Sequence, residues 1–237
     1  MLCDKRISLD PRLSRIAALV GTCECCADIG SDHGRLGAFL LQSGQCQRVV
    51  LTDISGASLS KARKLIALMD LEKRASFCVG DGALAIDCPV DAAVIAGMGG
   101  ETIASIVEQS AGRLHGARLI LQPNVALASL RRRLNGCGWR IVDEDLVRDG
   151  RRIYPILVAV EGEQRLSPLQ AEAGPVLLER KGRKFVDPAI DLADGHRHAS
   201  TSSQTAISRR SSTMFSASPP CCAPDSAFRA TRRRNAA

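Results

Sequence analysis

A ten-residue stretch near the start of the chain carries residue types that suit a ligand-binding turn. Residues 25–34 are Cys-Cys-Ala-Asp-Ile-Gly-Ser-Asp-His-Gly. The apolar run 22–29 predicts a buried strand, the residues up to Gly34 a tight turn, and residues 36–41 a helix. A strand, a small-residue turn and a helix begin a nucleotide-binding βαβ unit, whose backbone N–H groups face the ligand. Taken alone, an acidic turn that binds no ligand is the simpler interpretation.

The acidic residues of this turn favour one class of ligand over another. A dinucleotide-binding turn has the pattern Gly-x-Gly-x-x-Gly, but Asp32 stands at its second glycine and would repel a pyrophosphate. S-adenosylmethionine (SAM) carries a sulfonium and an ammonium and no phosphate, so an acidic turn suits it. Asp28, Gly30 and Gly34 match the usual methyltransferase turn, acid-x-Gly-x-Gly-x-Gly, with Asp32 in place of the middle glycine.

Two further predicted strands end in an aspartate. The strand 48–52 ends at Asp53, where a carboxylate can accept hydrogen bonds from both hydroxyls of a ribose. The strand 75–79 ends in Gly80-Asp81-Gly82, and Asp81 can accept a hydrogen bond from the exocyclic amine of adenine. A plain Asp-Gly turn explains this second piece equally well.

The next two predicted strands end in small residues and amides. The strand 91–96 runs into Gly97-Met98-Gly99-Gly100, whose glycines let a flat base approach the backbone. The strand 117–121 ends in Gln122-Pro123-Asn124, whose two amides can read the edge of a base. Because the carboxyl ends of parallel strands meet at one edge of a sheet, these pieces converge, and together they favour SAM binding over a turn without a ligand.

The order of elements predicts the fold. Five βα units are followed by a hairpin of strands 139–143 and 153–160. This order is typical of an α/β, Rossmann-like doubly wound sheet of seven strands with one antiparallel edge strand.

The formal net charge of +7 comes almost entirely from the C-terminal stretch. Residues 195–237 contain seven arginines and one aspartate, which leaves +1 for residues 1–194. A basic face for nucleic acid must therefore come from local clustering. Neither a signal peptide nor an apolar run of about 20 residues is recognised, so we expect a soluble cytoplasmic protein without a membrane partner.

Ten cysteines raise the question of a metal or redox site. Cys23 and Cys26 have CxxC spacing, but strand alternation predicts that they point to opposite faces. Because no second CxxC follows, we expect no metal and interpret the thiols as small apolar core residues.

With these pieces assembled, the chain resembles the bacterial tRNA (adenine(22)-N1)-methyltransferase family, often called TrmK. The resemblance covers residues 8 to about 160, and more weakly to 187; its blocks are 27–33, Gly80-Asp81-Gly82, 95–100, 119–124 and Tyr154-x-Ile156-Leu157-Val158. It implies a class I SAM-dependent enzyme that methylates N1 of an adenine in the D-arm region of tRNA.

The resemblance also implies roles for individual residues. Those expected to hold the cofactor are Asp28, Gly30, Ser31, Asp32, His33, Asp53, Ile54, Gly80, Asp81, Gly82, Ala96 and Gly97. Those expected to act in catalysis are Asp32, Gly97, Met98 and Gly99, where Asp32 and the carbonyls of 96–97 would stabilise the positive charge that the base gains. A positive φ is expected at Gly99. Those expected to contact tRNA are Gln122, Pro123, Asn124, Tyr154, Arg131 and Arg132.

Structural roles are the alternatives for several of these residues. His33, Gln122, Asn124 and Tyr154 can instead be structural hydrogen-bonding or packing residues. Arg131 and Arg132 belong to a triple-arginine run on the predicted helix 126–134, and a solvated helix face is the commoner explanation of such a run.

The C-terminal part departs from the family, whose members continue with a helical, coiled-coil-like extension. We predict a SAM-binding domain at 1–163, a partial helical extension at 164–194 and a disordered Ser-, Arg- and Pro-rich tail at 195–237. A shifted reading frame and a genuine lineage-specific tail both explain the last segment.

The sequence therefore predicts SAM-dependent methyl transfer to adenine N1 in tRNA by a monomer that needs no metal. Two alternatives stay open. The same fold can act on another substrate, since fold does not determine function, or the chain can bind SAM or RNA with impaired turnover because its C-terminal part is abnormal.

Overall fold

The computed structural model describes residues 6–180, which all belong to the first of the two units into which the chain divides, residues 1–185. Helices and strands alternate along this part of the chain. The strands are β1 (Cys23–Ile29), β2 (Cys46–Asp53), β3 (Ala75–Val79), β4 (Ala92–Met98), β5 (Arg118–Pro123), β6 (Trp139–Asp149) and β7 (Arg152–Glu161). The helices are α1 (Pro11–Val20), α2 (Arg35–Gln42), α3 (Gly56–Leu68), α4 (Gly100–Gln109), α5 (Leu127–Gly136), α6 (Pro168–Ala173) and α7 (Pro175–Glu179).

The seven strands form one sheet in the order β3-β2-β1-β4-β5-β7-β6. Strands β1 to β5 pair in parallel, whereas β7 is antiparallel to both β5 and β6. This confirms the predicted Rossmann-like, doubly wound α/β fold. The antiparallel strand β7 is the last but one in the sheet, and β6 lies outside it at the edge. β6 is longer than the predicted 139–143, because it pairs with β7 from Trp139 to Asp149.

Two apolar layers, one on each face of the sheet, hold the helices. One layer contains Ala27 and Ile29 of β1 and packs against α4 and α5. The other contains Cys26 of β1 and packs against α1, α2 and α3. Strands buried on both faces need apolar residues at successive positions, which is why β1, β2 and β4 lack a polar alternation.

A β-bulge interrupts the pairing of β4 with β5. The register passes from Ala96 opposite Gln122 to Met98 opposite Pro123, so Gly97 is the extra residue. Gly97 has a φ of +79°, a left-handed conformation that glycine adopts without strain. The bulge turns the end of β4 away from the sheet, at the edge where the predicted site residues lie.

The predicted orientation of the CxxC cysteines is wrong. Cys23 and Cys26 lie on the same face of the sheet, whereas Cys25 lies on the other. Regular alternation of side chains would put Cys23 and Cys25 on the same face of the sheet. This alternation is interrupted between these two residues, at the start of β1. The thiols of Cys23 and Cys26 consequently lie near each other.

The described part of the predicted helical extension, residues 164–180, forms the short helices α6 and α7. Ser167 caps α6, since its hydroxyl accepts a hydrogen bond from the backbone N–H of Gln170 while the Gln170 side chain accepts one from the N–H of Ser167. Both helices pack against the main body, α6 on α5 and α7 on β6. The rest of the extension and the predicted disordered tail, 195–237, lie outside the described residues.

Within residues 6–180, no helix has the length and apolar character needed to span a membrane. Over the same range, no group of three or more Asp, Glu, His or Cys side chains is positioned to hold a metal ion.

Candidate active site

A cavity of about 710 Å³ opens at the carboxyl ends of the parallel strands. This volume lies in the range of small-molecule and cofactor sites. Its walls come from the ends of β1, β2 and β4 and from the turn after β3. All twelve residues predicted to hold the cofactor line it: Asp28, Gly30, Ser31, Asp32, His33, Asp53, Ile54, Gly80, Asp81, Gly82, Ala96 and Gly97. The structure thus brings these residues together, and their contacts to a ligand stay predictions.

Asp28 is the buried carboxylate of this cavity. It is 6% exposed, and its Oδ2 atom has no hydrogen-bond partner among the described residues. Burial raises the pKa of Asp28 to about 7, against the lowering effect of a hydrogen bond from the backbone N–H of Gly37, and the nearby Asp53 carboxylate raises it further. A buried carboxylate with an unpartnered oxygen, on a residue that lines a cavity, is suited to bind a cation or an N–H donor of a ligand.

The turn after β1 keeps the backbone of a glycine-rich turn despite its aspartate. Asp32, at the middle glycine position, has a φ of +46°, and Gly30 and Gly34 have φ values of +72° and +68°. Aspartate is one of the few non-glycine residues that tolerate this conformation. The departure from the usual pattern therefore changes the charge of the turn without changing its left-handed backbone.

Asp53 fastens this turn to the end of β2. Its Oδ2 accepts a hydrogen bond from the N–H of Asp32 at 3.2 Å, and its Oδ1 accepts one from the N–H of Ser55 at 2.8 Å. Each oxygen keeps a lone pair for a hydroxyl donor.

Next to Asp53, Ile54 is 76% exposed although it is a large apolar side chain. An exposed isoleucine at the rim of a cavity is suited to cover a flat ring.

Gln122 and Asn124 hold the Gly97 bulge instead of presenting free amides. The Gln122 Oε1 atom accepts hydrogen bonds from the N–H of Gly97 at 3.1 Å and from Arg12 Nη1 at 2.7 Å. The Gln122 Nε2 atom donates to the Pro123 carbonyl and to Asn124 Oδ1, and Asn124 Nδ2 donates to the Gly97 carbonyl at 2.8 Å. All four hydrogen-bonding positions of the Gln122 amide are used, so the expectation that this amide reads a base edge is wrong in this structure.

The positive φ expected at Gly99 occurs at Gly97. Gly99 has a φ of −70°, and a Cβ there would meet only ordinary contacts at 3.8 Å. Gly100 is the residue that admits no side chain, because a Cβ would lie 2.4 Å from the Ala126 carbonyl oxygen. Gly99 does not line the cavity, whereas Gly97 and Met98 do.

Arg12 is a site residue that sequence reasoning missed. It lies in the first turn of α1, lines the cavity, and places its guanidinium carbon 5.5 Å from the ring centre of Tyr154 on β7. The Asp10-Pro11 start of the helix was recognisable, since Asp10 caps α1 through the N–H of Leu13. No local motif marks the next residue, because its role depends on β5 and β7.

Arg131 and Arg132, both expected to contact tRNA, differ completely in the structure. Arg131 is 1% exposed, and its guanidinium donates to Glu144 and to the carbonyls of Ala171 and Glu172. The expectation for Arg131 is therefore wrong, because its charge is enclosed between α5, β6 and α6. Arg132 is exposed and pairs with Glu172 at 3.0 Å.

The sheet order and the cavity at its carboxyl edge are those of a class I methyltransferase. A family model described as a methyltransferase domain matches residues 9–157. The chain is 31% identical, over 76% of its length and 79% of the relative's, to the tRNA (adenine(22)-N(1))-methyltransferase of Bacillus subtilis. It therefore belongs to the tRNA (adenine(22)-N1)-methyltransferase family.

Solved structures agree with this assignment. A Streptococcus pneumoniae protein described as a candidate tRNA (m1A22) methyltransferase, in complex with S-adenosyl-L-methionine, is 30% identical, with a TM-score of 0.71 over 79% of this chain and 89% of that one. The crystal structure of the B. subtilis enzyme is 28% identical, with a TM-score of 0.70 over 75% of this chain and 79% of that one.

Proposed function

We propose that this protein transfers a methyl group from SAM to N1 of the adenine at position 22 of tRNA. The observation that carries the proposal is the buried Asp28 carboxylate, one oxygen of which has no hydrogen-bond partner among the described residues, in a cavity lined by every residue predicted to hold the cofactor. Membership of the methyltransferase family supports the proposed reaction, and the relatives' names support the proposed substrate.

The chemistry of the cavity suits SAM. When bound, SAM supplies an electrophilic methyl group on a positively charged sulfur. Asp28 is proposed to accept hydrogen bonds from the ammonium of the methionine part, for which its free Oδ2 is suited. Asp53 is proposed to accept from the ribose hydroxyls, and the exposed Ile54 to cover the adenine ring. Five aspartates line the cavity, Asp10, Asp28, Asp32, Asp53 and Asp81, against the two arginines Arg12 and Arg35, and this acidic excess favours a ligand that carries a sulfonium and an ammonium.

For methyl transfer to the acceptor base, correct positioning of the base is more important than a residue that accepts a proton. Adenine N1 is uncharged at neutral pH and its lone pair is free, so alignment in a water-excluding pocket can supply much of the catalysis. Gly97 is proposed as the wall against which the base lies, held by Gln122 and Asn124 through its own N–H and carbonyl. Arg12, whose guanidinium lies over the Tyr154 ring, lines the cavity beside it.

The methylated base gains a positive charge, which requires a nearby acceptor. Asp32 is proposed for this role because its exposed carboxylate lines the cavity, where its Oδ2 lies 2.5 Å from the Nδ1 atom of the neighbouring His33 ring. His33 is proposed to hold that carboxylate in place. The remaining lone pair of the Gly97 carbonyl is the second proposed acceptor.

The tRNA surface is proposed to include Arg132 and to exclude Arg131. Of these two arginines, only Arg132 has an exposed guanidinium, which can reach a phosphate once it leaves its pair with Glu172. We also propose that the protein acts as a monomer and that it acts in the cytoplasm, where it meets tRNA.

The direct test is methyl transfer from labelled SAM to bulk tRNA, followed by nucleoside analysis. We expect N1-methyladenosine, and its loss when position 22 is not adenine. A different methylated nucleoside would indicate the same fold acting on another substrate. SAM binding without any product would identify a binding protein.

A pair of glycine variants tests the proposed base wall. Gly97→Ala introduces a side chain into the cavity at a φ of +79°, and Gly116→Ala imposes the same strain at a φ of +76° where a Cβ meets nothing within 4 Å. Both lose about 1 kcal/mol of stability or somewhat more from the left-handed backbone. We expect only Gly97→Ala to lower kcat, by about tenfold or more, with SAM affinity retained in calorimetry. Equal activity in the two variants would place the base elsewhere.

A further inference from the structure

Three cysteine thiols meet at the edge of the sheet opposite the cavity. Cys23 and Cys46 are the first residues of β1 and β2 and lie directly opposite each other in the parallel pairing. Their sulfur atoms are 3.1 Å apart. The buried thiol of Cys26 lies near both of them and donates to the Ala27 carbonyl. None of the three lines the cavity, so the proposed methyl transfer makes no use of them.

Only one of these thiols reaches solvent. Cys46 and Cys26 are fully buried, whereas Cys23 is partly exposed at the start of its strand. A small oxidant can therefore approach Cys23, and Cys46 is the buried neighbour within reach of any product formed on it.

Cys23 also differs from the other thiols in its acidity. The hydrogen bond with Cys26 lowers the pKa of Cys23 to about 7 against the effect of burial; the bond with Cys46 lowers it too, and the nearby Asp91 and Glu24 carboxylates oppose this. Burial raises the pKa of Cys25 to about 11 and raises that of Cys137 as well. At neutral pH the reactive thiolate form is thus populated at Cys23 and scarce at those two positions.

The alignment of the two strands suits a covalent bond. Directly paired residues of neighbouring strands have Cα atoms about 4.8 Å apart, within the range that a disulfide spans. The sulfur atoms must approach by about 1 Å to reach the bond length of about 2.05 Å.

We propose that Cys23 and Cys46 form a peroxide-reactive pair, in which Cys23 is the attacking thiol, Cys46 the resolving thiol, and a disulfide between β1 and β2 the product. The Cys23 thiolate attacks one oxygen of hydrogen peroxide, the O–O bond breaks, and the departing hydroxide takes a proton to become water. The Cys46 sulfur then attacks the Cys23 sulfenic acid, the S–O bond breaks, and the hydroxide leaves with the Cys46 proton as a second water. Two thiols lose two electrons, and one peroxide is reduced to two waters.

The test treats the full-length protein with hydrogen peroxide, blocks the remaining thiols with an alkylating agent and maps the peptides by mass spectrometry. We expect a linked Cys23–Cys46 peptide pair that has lost two hydrogens and is restored by dithiothreitol. Peptide mapping separates this product from any oxidation at the eight other cysteines.

Three variants assign the roles of the two sulfur atoms. Cys23→Ser should slow the oxidation of Cys46 by at least about tenfold. Cys46→Ser should stop the reaction at the Cys23 sulfenic acid, which dimedone traps, and Cys137→Ser should leave the linked pair unchanged. A disulfide between Cys23 and Cys26 in the unmodified protein would overturn the assignment of Cys46. Equal oxidation of Cys46 with and without Cys23 would overturn the proposal as a whole.

Discussion

Two buried carboxylates, Asp28 at the end of β1 and Glu144 in β6, have opposite surroundings. Glu144 is 2% exposed, and its oxygens accept hydrogen bonds from Arg131 at 2.8 Å and from the backbone N–H groups of Val176 and Leu177. Asp28 is 6% exposed, and within residues 6–180 it has no cationic partner of this kind and one of its oxygens is unpaired. Both residues bury a carboxylate, but the Glu144 carboxylate is paired with a cation and the Asp28 carboxylate is not.

The difference separates a carboxylate that serves the fold from one that awaits a ligand. Burying a charge is costly unless it is paired and hydrogen-bonded, and Glu144 meets both conditions. Asp28 accepts a hydrogen bond from the N–H of Gly37 but has no cation beside it among the described residues, and burial raises the pKa of its carboxyl to about 7. A protein keeps such a group at a cavity when a ligand supplies the missing partner.

Removing one partner of the satisfied pair should destabilise the fold strongly. Glu144→Gln leaves the buried Arg131 guanidinium without a counter-charge, so we expect a loss of about 3–5 kcal/mol in the free energy of unfolding. Urea titration followed by circular dichroism measures this loss. Arg132→Met is the matched control on the same helix, since it breaks only an exposed pair and should cost at most about 1 kcal/mol.

The double variant Arg131→Met/Glu144→Leu sharpens this prediction. Replacing both charges by apolar side chains of similar size removes the uncompensated charge, so most of the lost stability should return. If Glu144→Gln costs no more than Arg132→Met, the pair does not hold the fold and the contrast with Asp28 fails.

The unsatisfied carboxylate should behave in the opposite way, and its effect should depend on pH. The pKa of Asp28 is about 7 in the folded protein and about 3.8 in the unfolded chain. Folding therefore takes up a proton between these values, so this contribution to stability is complete below about pH 4 and lost as the pH rises through 7. Asp28→Asn removes that loss and should stabilise the ligand-free protein at pH 8 by an amount on the order of 3 kcal/mol.

Unfolding curves of the native protein and of Asp28→Asn, measured at pH 5 and pH 8, check this prediction. The stability difference between the two proteins should be small at the lower pH and large at the higher one. A variant that is destabilised at pH 8 would show that Asp28 has a hidden structural partner.

Cofactor binding should then reverse the ranking of the variants. Asp53→Ala removes a charged acceptor for two ribose hydroxyls and should weaken SAM binding by about 1.5–3 kcal/mol in calorimetry. Asp28→Asn should weaken it by a similar amount although it stabilises the fold, whereas Arg132→Met should leave it unchanged. Unchanged SAM affinity in both aspartate variants would contradict the proposed placement of the cofactor.

Features that depend on neighbouring residues in the chain were predictable. The run from Cys25 to Ile29 followed by Gly30 predicts a buried strand and a turn, and Asp53 follows its strand in the same way. Because parallel strands bring their carboxyl ends to one edge, knowing the strands was enough to place all twelve proposed cofactor residues around one cavity.

Features that depend on distant partners were not predictable. Arg131 stands in a run of three arginines that is typical of a solvated face, and its burial requires Glu144 in β6 and the carbonyls of Ala171 and Glu172 in α6. The Gln122 amide looks free in the sequence because its partners, Arg12 and Gly97, come from α1 and β4. In both cases, the residue type was informative and its role was decided by tertiary contacts.

The contacts of Arg131 and Glu144 determine where the chain can be cut. The Arg131 guanidinium donates hydrogen bonds to the carbonyls of Ala171 and Glu172, and the Glu144 carboxylate accepts them from the N–H groups of Val176 and Leu177. Arg180 donates a further hydrogen bond to the backbone carbonyl of Glu144 at 2.8 Å. A gene fragment that stops at codon 163 would encode every residue lining the cavity. It would lack residues 164–180, however, and would expose the Arg131–Glu144 ion pair to solvent on the side that these residues cover. The shortest fragment expected to express as a stable catalytic unit therefore ends beyond Arg180, and residues 164–180 are an inseparable part of the enzyme's body.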